Sequence, residues 1–202
     1  MTAGAKTACL GEAPRDGLAA RILDEAIRMF ASRGYASTSV REVVEASGCT
    51  KPALYYHFTN KVGLYRAAMG AVVARMQHVQ VPLEGNNNFA EALGESLARL
   101  RAHAERYPDD LRLMFRAESE ATIDPELLDI RTLRAQDLAM VESMIALGVE
   151  RGELRADLPV SMAAIALVGA IHVQLQLWLD GHPLDSDFER NLVSLFMNGV
   201  SR

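Results

Sequence analysis

Apolar positions recur along this chain at helical spacing and almost nowhere in strict alternation. Between Leu18 and Arg33, residues Leu18, Ile22, Ala26 and Met29 or Phe30 fall three or four apart, the stripe of an amphipathic helix, and Gly34 stands where such a helix ends. Ser39 and Glu42 have the spacing of a capping box, in which each side chain accepts from the other residue's backbone amide. That predicts a short helix over about 40–46, closed by Gly48. Thr50 is placed to cap a helix running to about His57, with Pro52 in its first turn, where no backbone donor is missed. Asn60 caps a fourth helix, rich in Ala and Met, expected to continue to about Gln80 before Pro82 and the turn 85–88.

Further along, Pro108-Asp109-Asp110, Asp124-Pro125, Gly152, 157–159 and Gly181-His182-Pro183 mark breaks. The intervals predict helices near 88–106, 109–118, 125–151, 159–180 and 185–200. There is no repeat or low-complexity tract, and residues 1–14 lack periodicity, so they are expected to form a flexible arm. The fold class is therefore all-α.

Composition narrows the function classes. A chain of 202 residues, 50% hydrophobic and 23% charged, makes one domain or two small ones with a continuous core and is neither disordered nor collagenous. The longest uninterrupted apolar run, Met162 to Ile171, stops at His172, short of the ~20 residues a membrane span needs, so no membrane segment is expected. The N-terminal stretch has no apolar run of the signal-peptide kind, and the protein is expected in the cytoplasm. Cys9 and Cys49 are too far apart for a CxxC pair and read as reduced thiols, Cys49 as a small hydrophobe in a turn. The net charge of −5 is unevenly spread: residues 1–66 carry nine Lys/Arg and six Asp/Glu (+3), and residues 67–202 carry twelve and twenty (−8). A basic head on an acidic body fits a protein whose head alone meets a polyanion.

The head also carries a motif. Two short helices joined by Ser47-Gly48-Cys49, after a longer first helix, make a helix-turn-helix, in which one helix braces across the phosphate backbone and the other enters the major groove. The entering turn presents Thr50, Lys51, Pro52 and Ala53, and around it stand Arg41, Tyr55, Tyr56, His57 and Lys61, cations and hydroxyl donors for phosphates and base edges. Leu54, Phe58, Val43 and Val44 read as core. The stretch from Thr38 to Lys61, with Leu54-Tyr55-Tyr56-His57-Phe58 followed by Asn60-Lys61, resembles the DNA-binding segment of TetR-family transcriptional regulators. The likeness runs from about Arg21 through Leu64; the rest matches in helix number and length.

That resemblance implies an N-terminal helix-turn-helix domain, residues 15–61, and a larger helical ligand-binding and dimerisation domain, residues 62–202. It places Thr38 near phosphate, Ser39 at the start of the bracing helix and Arg41 at a base edge or phosphate. Thr50, Lys51 and Ala53 would face the groove, Tyr55, Tyr56 and His57 would touch backbone or bases, and Lys61 would clamp a phosphate. Repression, with release by a small-molecule effector, is a family expectation. One departure is visible: Val62-Gly63 follows Lys61 where the family often has an acidic residue, which implies a looser start to the fourth helix.

In the body, the hairpin 159–179 and 185–200 has more apolar surface than a monomer covers, with small residues at Ala163, Ala164, Ala166, Gly169 and Ala170 and bulk at Leu175, Trp178, Leu192, Leu195 and Phe196. It is the expected homodimer face, and twofold symmetry implies a roughly palindromic double-stranded operator. A cavity for the effector is expected along Met76, Met114, Phe115, Met140 and Met144, with Glu118, His172 and Gln176 as polar contacts, because methionine adapts to varied apolar ligands. The same stripe also reads as plain core. The effector is expected to act by swinging the two heads through a continuous helix from Lys61 to Gln80. His78, His103, His172 and His182 form neither a metal-ligand spacing nor a catalytic arrangement, so no metal, cofactor or catalytic residue is expected. A helical enzyme and an interaction module without DNA binding are the competing classes.

Overall fold

The computed structural model describes residues 17–83, 88–120 and 130–200. Among them the secondary structure is helical: α1 (Gly17–Ser37), α2 (Val40–Ser47), α3 (Lys51–His57), α4 (Lys61–Met76), α5 (Phe89–Arg106), α6 (Pro108–Glu120), α7 (Ile130–Glu150), α8 (Val160–Leu179) and α9 (Phe188–Val200). The expected arm 1–14 and the expected start of a helix at 125 lie outside the described residues.

The helices form two compact units. The first takes residues up to Gln77 together with 107–130; the second takes 78–106 and 131–202. The boundary expected after Lys61 thus falls at the start of α4, inside the first unit.

In the first unit α1 packs against α2, α4 and α6. Ile22, Ala26 and Phe30 of α1 are fully buried, as are Val43 of α2, Leu54 of α3 and Leu64 and Val72 of α4. Gly34 breaks α1 with φ 81 and ψ 169, a backbone region closed to residues with a Cβ. Arg116 of α6 closes the helical part before that break: its guanidinium donates to Ala31 O at 2.9 Å and Ser32 O at 3.0 Å, taking carbonyls that a helix end leaves unpaired. At the other end of α6, buried Asp110 accepts from Arg75 of α4 at 2.8 and 2.6 Å, and the Arg75 guanidinium lies 5.3 Å from the Tyr107 ring.

The fourth helix corrects an expectation. It stops at Met76, with Gln77 as its cap, rather than continuing to Gln80. The chain passes to the second unit after Gln77, so α4 lies wholly within the first. Beyond that point Val79, Val81 and Leu83 are buried without being helical. Apolar periodicity alone did not separate a helix from a buried non-helical segment.

The second unit has its own core, including Phe89, Leu93 and Leu97 of α5, Ile145 of α7, Leu154, Leu158, Leu167 of α8 and Phe188 of α9. Gly148 fits there because a Cβ would come within 3.0 Å of both Leu154 and Phe89. Arg101 of α5 forks onto Glu189 of α9, donates to Asp185 O at 2.7 Å, and lies 5.9 Å from the Phe188 ring. Its hydrogen bonds with Arg101 hold the Glu189 carboxyl below its ordinary pKa.

Helix α8 is long and apolar enough, by length and composition, to cross a membrane, with 22% of that stretch buried. An uninterrupted count ended at His172 and hid this; isolated polar residues within a helix barely lower its mean hydropathy.

Candidate nucleic-acid interface

Local capping sets the ends of the helices in the helix-turn-helix, and packing on α1 holds them. The Ser39 hydroxyl accepts from the Glu42 amide at 3.3 Å while the Glu42 carboxylate accepts from the Ser39 amide at 2.9 Å, so the capping box is present in full. Arg33 donates to the same carboxylate at 2.7 Å, tying α1 to α2. Hydrogen bonds from the Ser39 side chain and then its backbone, with Arg33 adding its charge, lower the pKa of Glu42. Gly48 (φ 64) takes the left-handed conformation that ends α2. The Cys49 amide then donates to Val44 O at 3.2 Å, and Thr50 caps α3 by accepting from the Ala53 amide at 3.3 Å.

This sets α3 with two unlike faces. Leu54 is fully buried and Phe58, its cap, nearly so, while Lys51, Pro52, Tyr55 and Tyr56 face solvent and Ala53 and His57 are half-buried. Tyr56 is 86% exposed, an unusual position for an aromatic ring, and meets His57 edge-on at 5.0 Å. Lys51 Nζ lies 5.9 Å from the Tyr55 ring. On α2, Arg41 is exposed and donates to Glu45 at 2.8 Å, and that bond keeps its guanidinium firmly charged. The exposed side chains are therefore cationic, aromatic and hydroxylic, the set that serves phosphates and base edges.

Four expected residues are placed otherwise than as free contacts. The Thr38 hydroxyl points inward: the side chain is buried and donates to Gly34 O at 2.8 Å, fixing the turn after α1. The hydroxyls of Ser39 and Thr50 are engaged as helix caps. Lys61 is half-buried, with Nζ donating to Ala36 O at 3.3 Å and lying 4.3 Å over the Tyr35 ring. The fourth helix does not start loosely in spite of Val62-Gly63, since Asn60 Oδ1 accepts from the Gly63 amide at 2.7 Å and caps it as expected. Sequence reasoning missed Tyr35 and Glu45. The latter was readable as the residue four after Arg41; Tyr35 carried no local signal.

The eight residues expected around an effector divide between the units. Met76 of α4 and Met114, Phe115 and Glu118 of α6, all half-buried, belong to the first; Met140 and Met144 of α7 and His172 and Gln176 of α8 belong to the second. Met144 packs against the core of the second unit, and Met140 is 51% exposed. A groove of about 320 Å³ between α8 and α9 is lined by other residues, among them Leu158, Met162, Ala166, Ala170, Leu195 and Phe196. Among the described residues, no three His, Cys, Asp or Glu side chains gather to hold a metal ion.

Family models match both parts of the chain: residues 22–68 match bacterial regulatory proteins of the TetR family, and residues 83–196 match the tetracyclin repressor-like C-terminal domain. The chain belongs to the TetR family. It is a DNA-binding transcriptional regulator and not an enzyme. It is similar to the transcriptional repressor ComR of Escherichia coli K12, 29% identical over 68% of this chain and 66% of that protein, just under two thirds of its length. It is also similar to the transcriptional activator FasR of Mycolicibacterium smegmatis, 26% identical over 86% of this chain and 78% of that one. Among solved structures, a TetR-like regulator from Rhodococcus sp. RHA1 shares the fold with a TM-score of 0.75 at 20% identity, over 93% of this chain and 98% of that one. TetR-family regulators bind DNA and small-molecule effectors and act as dimers.

Proposed function

We propose that this TetR-family regulator works in the cytoplasm as a homodimer that places one α3 helix of each protomer in the major groove of a roughly palindromic operator, represses transcription there, and releases the DNA when a small-molecule effector binds. The observation that carries the reading is the sidedness of α3: Leu54 anchors it while Lys51, Pro52, Tyr55 and Tyr56 stand in solvent. Lys51, Ala53 and Arg41 are the candidates for base edges; Tyr55, Tyr56, His57 and Lys61 are the candidates for phosphates. Ser39, Thr50 and Thr38 support them by holding the turns rather than through free hydroxyls.

The dimer face falls to α8 and α9. Met162, Ile165, Val173 and Leu177 of α8 and Leu195 of α9 are large apolar side chains left exposed in a single chain. An apolar helix mostly unburied in its own chain needs a cover, and for a dimeric family the cover is a second copy rather than a bilayer. The named repressor ComR supports repression; FasR, an activator, is the reason that the direction of control needs its own measurement. The effector reading keeps Met76, Met114, Phe115 and Glu118 on α4 and α6, and Met140, Met144, His172 and Gln176 on α7 and α8, as candidate contacts. Because α4 ends at Met76, the coupling cannot be a single rigid helix reaching Gln80.

Selection of duplexes from a randomised library, followed by fluorescence anisotropy at several salt concentrations, tests the reading. Selected duplexes should show inverted half-sites and bind with a steep salt dependence. Lys61→Ala should weaken binding to every duplex, and Arg41→Ala or Lys51→Ala should change the preferred sequence. A monomer that enriches no sequence refutes it.

A further inference from the structure

Lys61 does not hang freely at the start of α4. Its ammonium lies 4.3 Å over the Tyr35 ring and donates to Ala36 O at 3.3 Å, so two residues that follow the break in α1 hold the first residue of α4. The Tyr35 ring is itself fixed from behind. It meets Tyr65 edge-on at 5.2 Å and Phe30 at 6.1 Å, and Phe30 and Tyr65 meet edge-on at 5.0 Å. Phe30 and Tyr65 are both fully buried, so the platform under Lys61 rests on the core of the DNA-binding unit. A flexible lysine ordinarily loses side-chain freedom when it engages a phosphate. A ring face that already holds the ammonium removes most of that cost.

We propose that Tyr35 is a positioning residue for DNA binding: its ring holds the Lys61 ammonium in place for a backbone phosphate. This rests on the assignment of Lys61 to a phosphate made above. The interaction is between a cation and the face of a π system, so it needs the ring and not the phenol oxygen. Tyr35→Phe keeps the ring, and Tyr35→Leu or Tyr35→Met keeps apolar volume without it.

The test is a double-mutant cycle on the full-length protein, read as affinity and salt slope for a duplex enriched from a random library and for a scrambled duplex of equal length. Lys61→Ala should make the slope of log K against log salt shallower by about 1.8, one phosphate lost from each protomer of a dimer. Tyr35→Phe should bind as the parent does. Tyr35→Leu should weaken binding to both duplexes by about fivefold or more, and should add nothing in the Lys61→Ala background. Thermal melts identify a Leu variant that fails to fold, in which case Tyr35→Met takes its place in the cycle.

Outcomes separate cleanly. An unchanged salt slope in Lys61→Ala removes the phosphate assignment of Lys61, and this proposal with it. A normal Lys61→Ala loss with equal Tyr35→Leu losses in both backgrounds overturns the role of Tyr35 alone, because the ring then acts only on the fold. Tighter binding by Tyr35→Leu also overturns it, since the ring would then be keeping Lys61 from DNA.

Discussion

Replacing Asp110 tests how the DNA-binding unit is held together. Its carboxylate is 2% exposed and accepts from two nitrogens of Arg75 at 2.8 and 2.6 Å. Deleting one partner of a buried pair costs about 3–5 kcal/mol, because the other charge is stranded. Two features of the site reduce that figure. The Arg75 side chain is 29% exposed, so water reaches part of the stranded guanidinium, and Asp24 remains 3.6 Å away. Arg75 cannot relieve the strain by losing its proton: burial works against its charge and the Asp110 contacts that offset burial in the parent are lost, but an arginine's ordinary pKa lies so far above neutrality that the guanidinium stays charged. Asp110→Asn, which keeps the shape and removes the charge, should therefore lose about 2–3 kcal/mol. Urea unfolding followed by far-ultraviolet circular dichroism, at one fixed protomer concentration, reads the difference. The double substitution Arg75→Met with Asp110→Leu should recover most of it, since no charge is then left to desolvate. An Asp110→Asn variant within about 0.5 kcal/mol of the parent refutes the reasoning, as does an apolar pair less stable than Asp110→Asn itself.

Three other substitutions probe separate claims. Gly34→Ala places a Cβ at φ 81 and ψ 169 and should cost about 1–3 kcal/mol, seen as a lower melting temperature; an unchanged melt would show that the turn after α1 adapts. Glu189→Gln addresses acid stability. The Glu189 pKa is lowered by Arg101, so its contribution is fully present above the unfolded glutamate value of about 4.3 and is lost as pH falls through the lower folded value. The advantage of the parent over Glu189→Gln should accordingly shrink between neutral pH and about pH 3, and a difference independent of pH would rule out the Arg101 clamp as its source. Leu195→Asp, at a side chain 72% exposed in the single chain, should convert a dimer to monomer in light scattering while leaving helix content intact; a dimer that persists would move the interface elsewhere.

The parts that the sequence made legible are those whose physics is local. Ser39 with Glu42, Thr50 with Ala53, and Asn60 with Gly63 are each pairs three residues apart that satisfy helix-end amides, and each forms. The glycines at 34 and 48 adopt the positive φ that their places in the pattern required. The exposed face of α3 followed from the same spacing, because Leu54 and Phe58 had to point inward for the helix to be buried at all. Thr38 went astray for a local reason of another kind: a hydroxyl in a turn can donate to the carbonyl four residues earlier as readily as it can meet solvent, and Gly34 O claims it.

Long-range partners were not legible, and Asp109 and Asp110 show why. Both stand in the first turn of α6, after Pro108, where acidic residues suit the positive end of a helix dipole; helical spacing puts Asp110 on the face of Leu113 and Ala117, but it identifies no partner for the charge. Asp109 takes the local solution, a partner three residues on in Arg112 at 3.0 Å. Asp110 is turned one residue further round the helix, which carries it into the unit's interior, where its partner is Arg75, 35 residues earlier on α4. The spacing of Leu113 and Ala117 from Asp110 sets it on the face that α6 packs against α1 and α4, but nothing within 108–120 names Arg75 as its partner. The same packing puts α4 and α6 in the unit that carries the helix-turn-helix, although the chain between them, from 78 to 106, belongs to the other. A boundary drawn along the sequence at Lys61 could not reproduce that division, because the first unit is assembled from two separated stretches of chain.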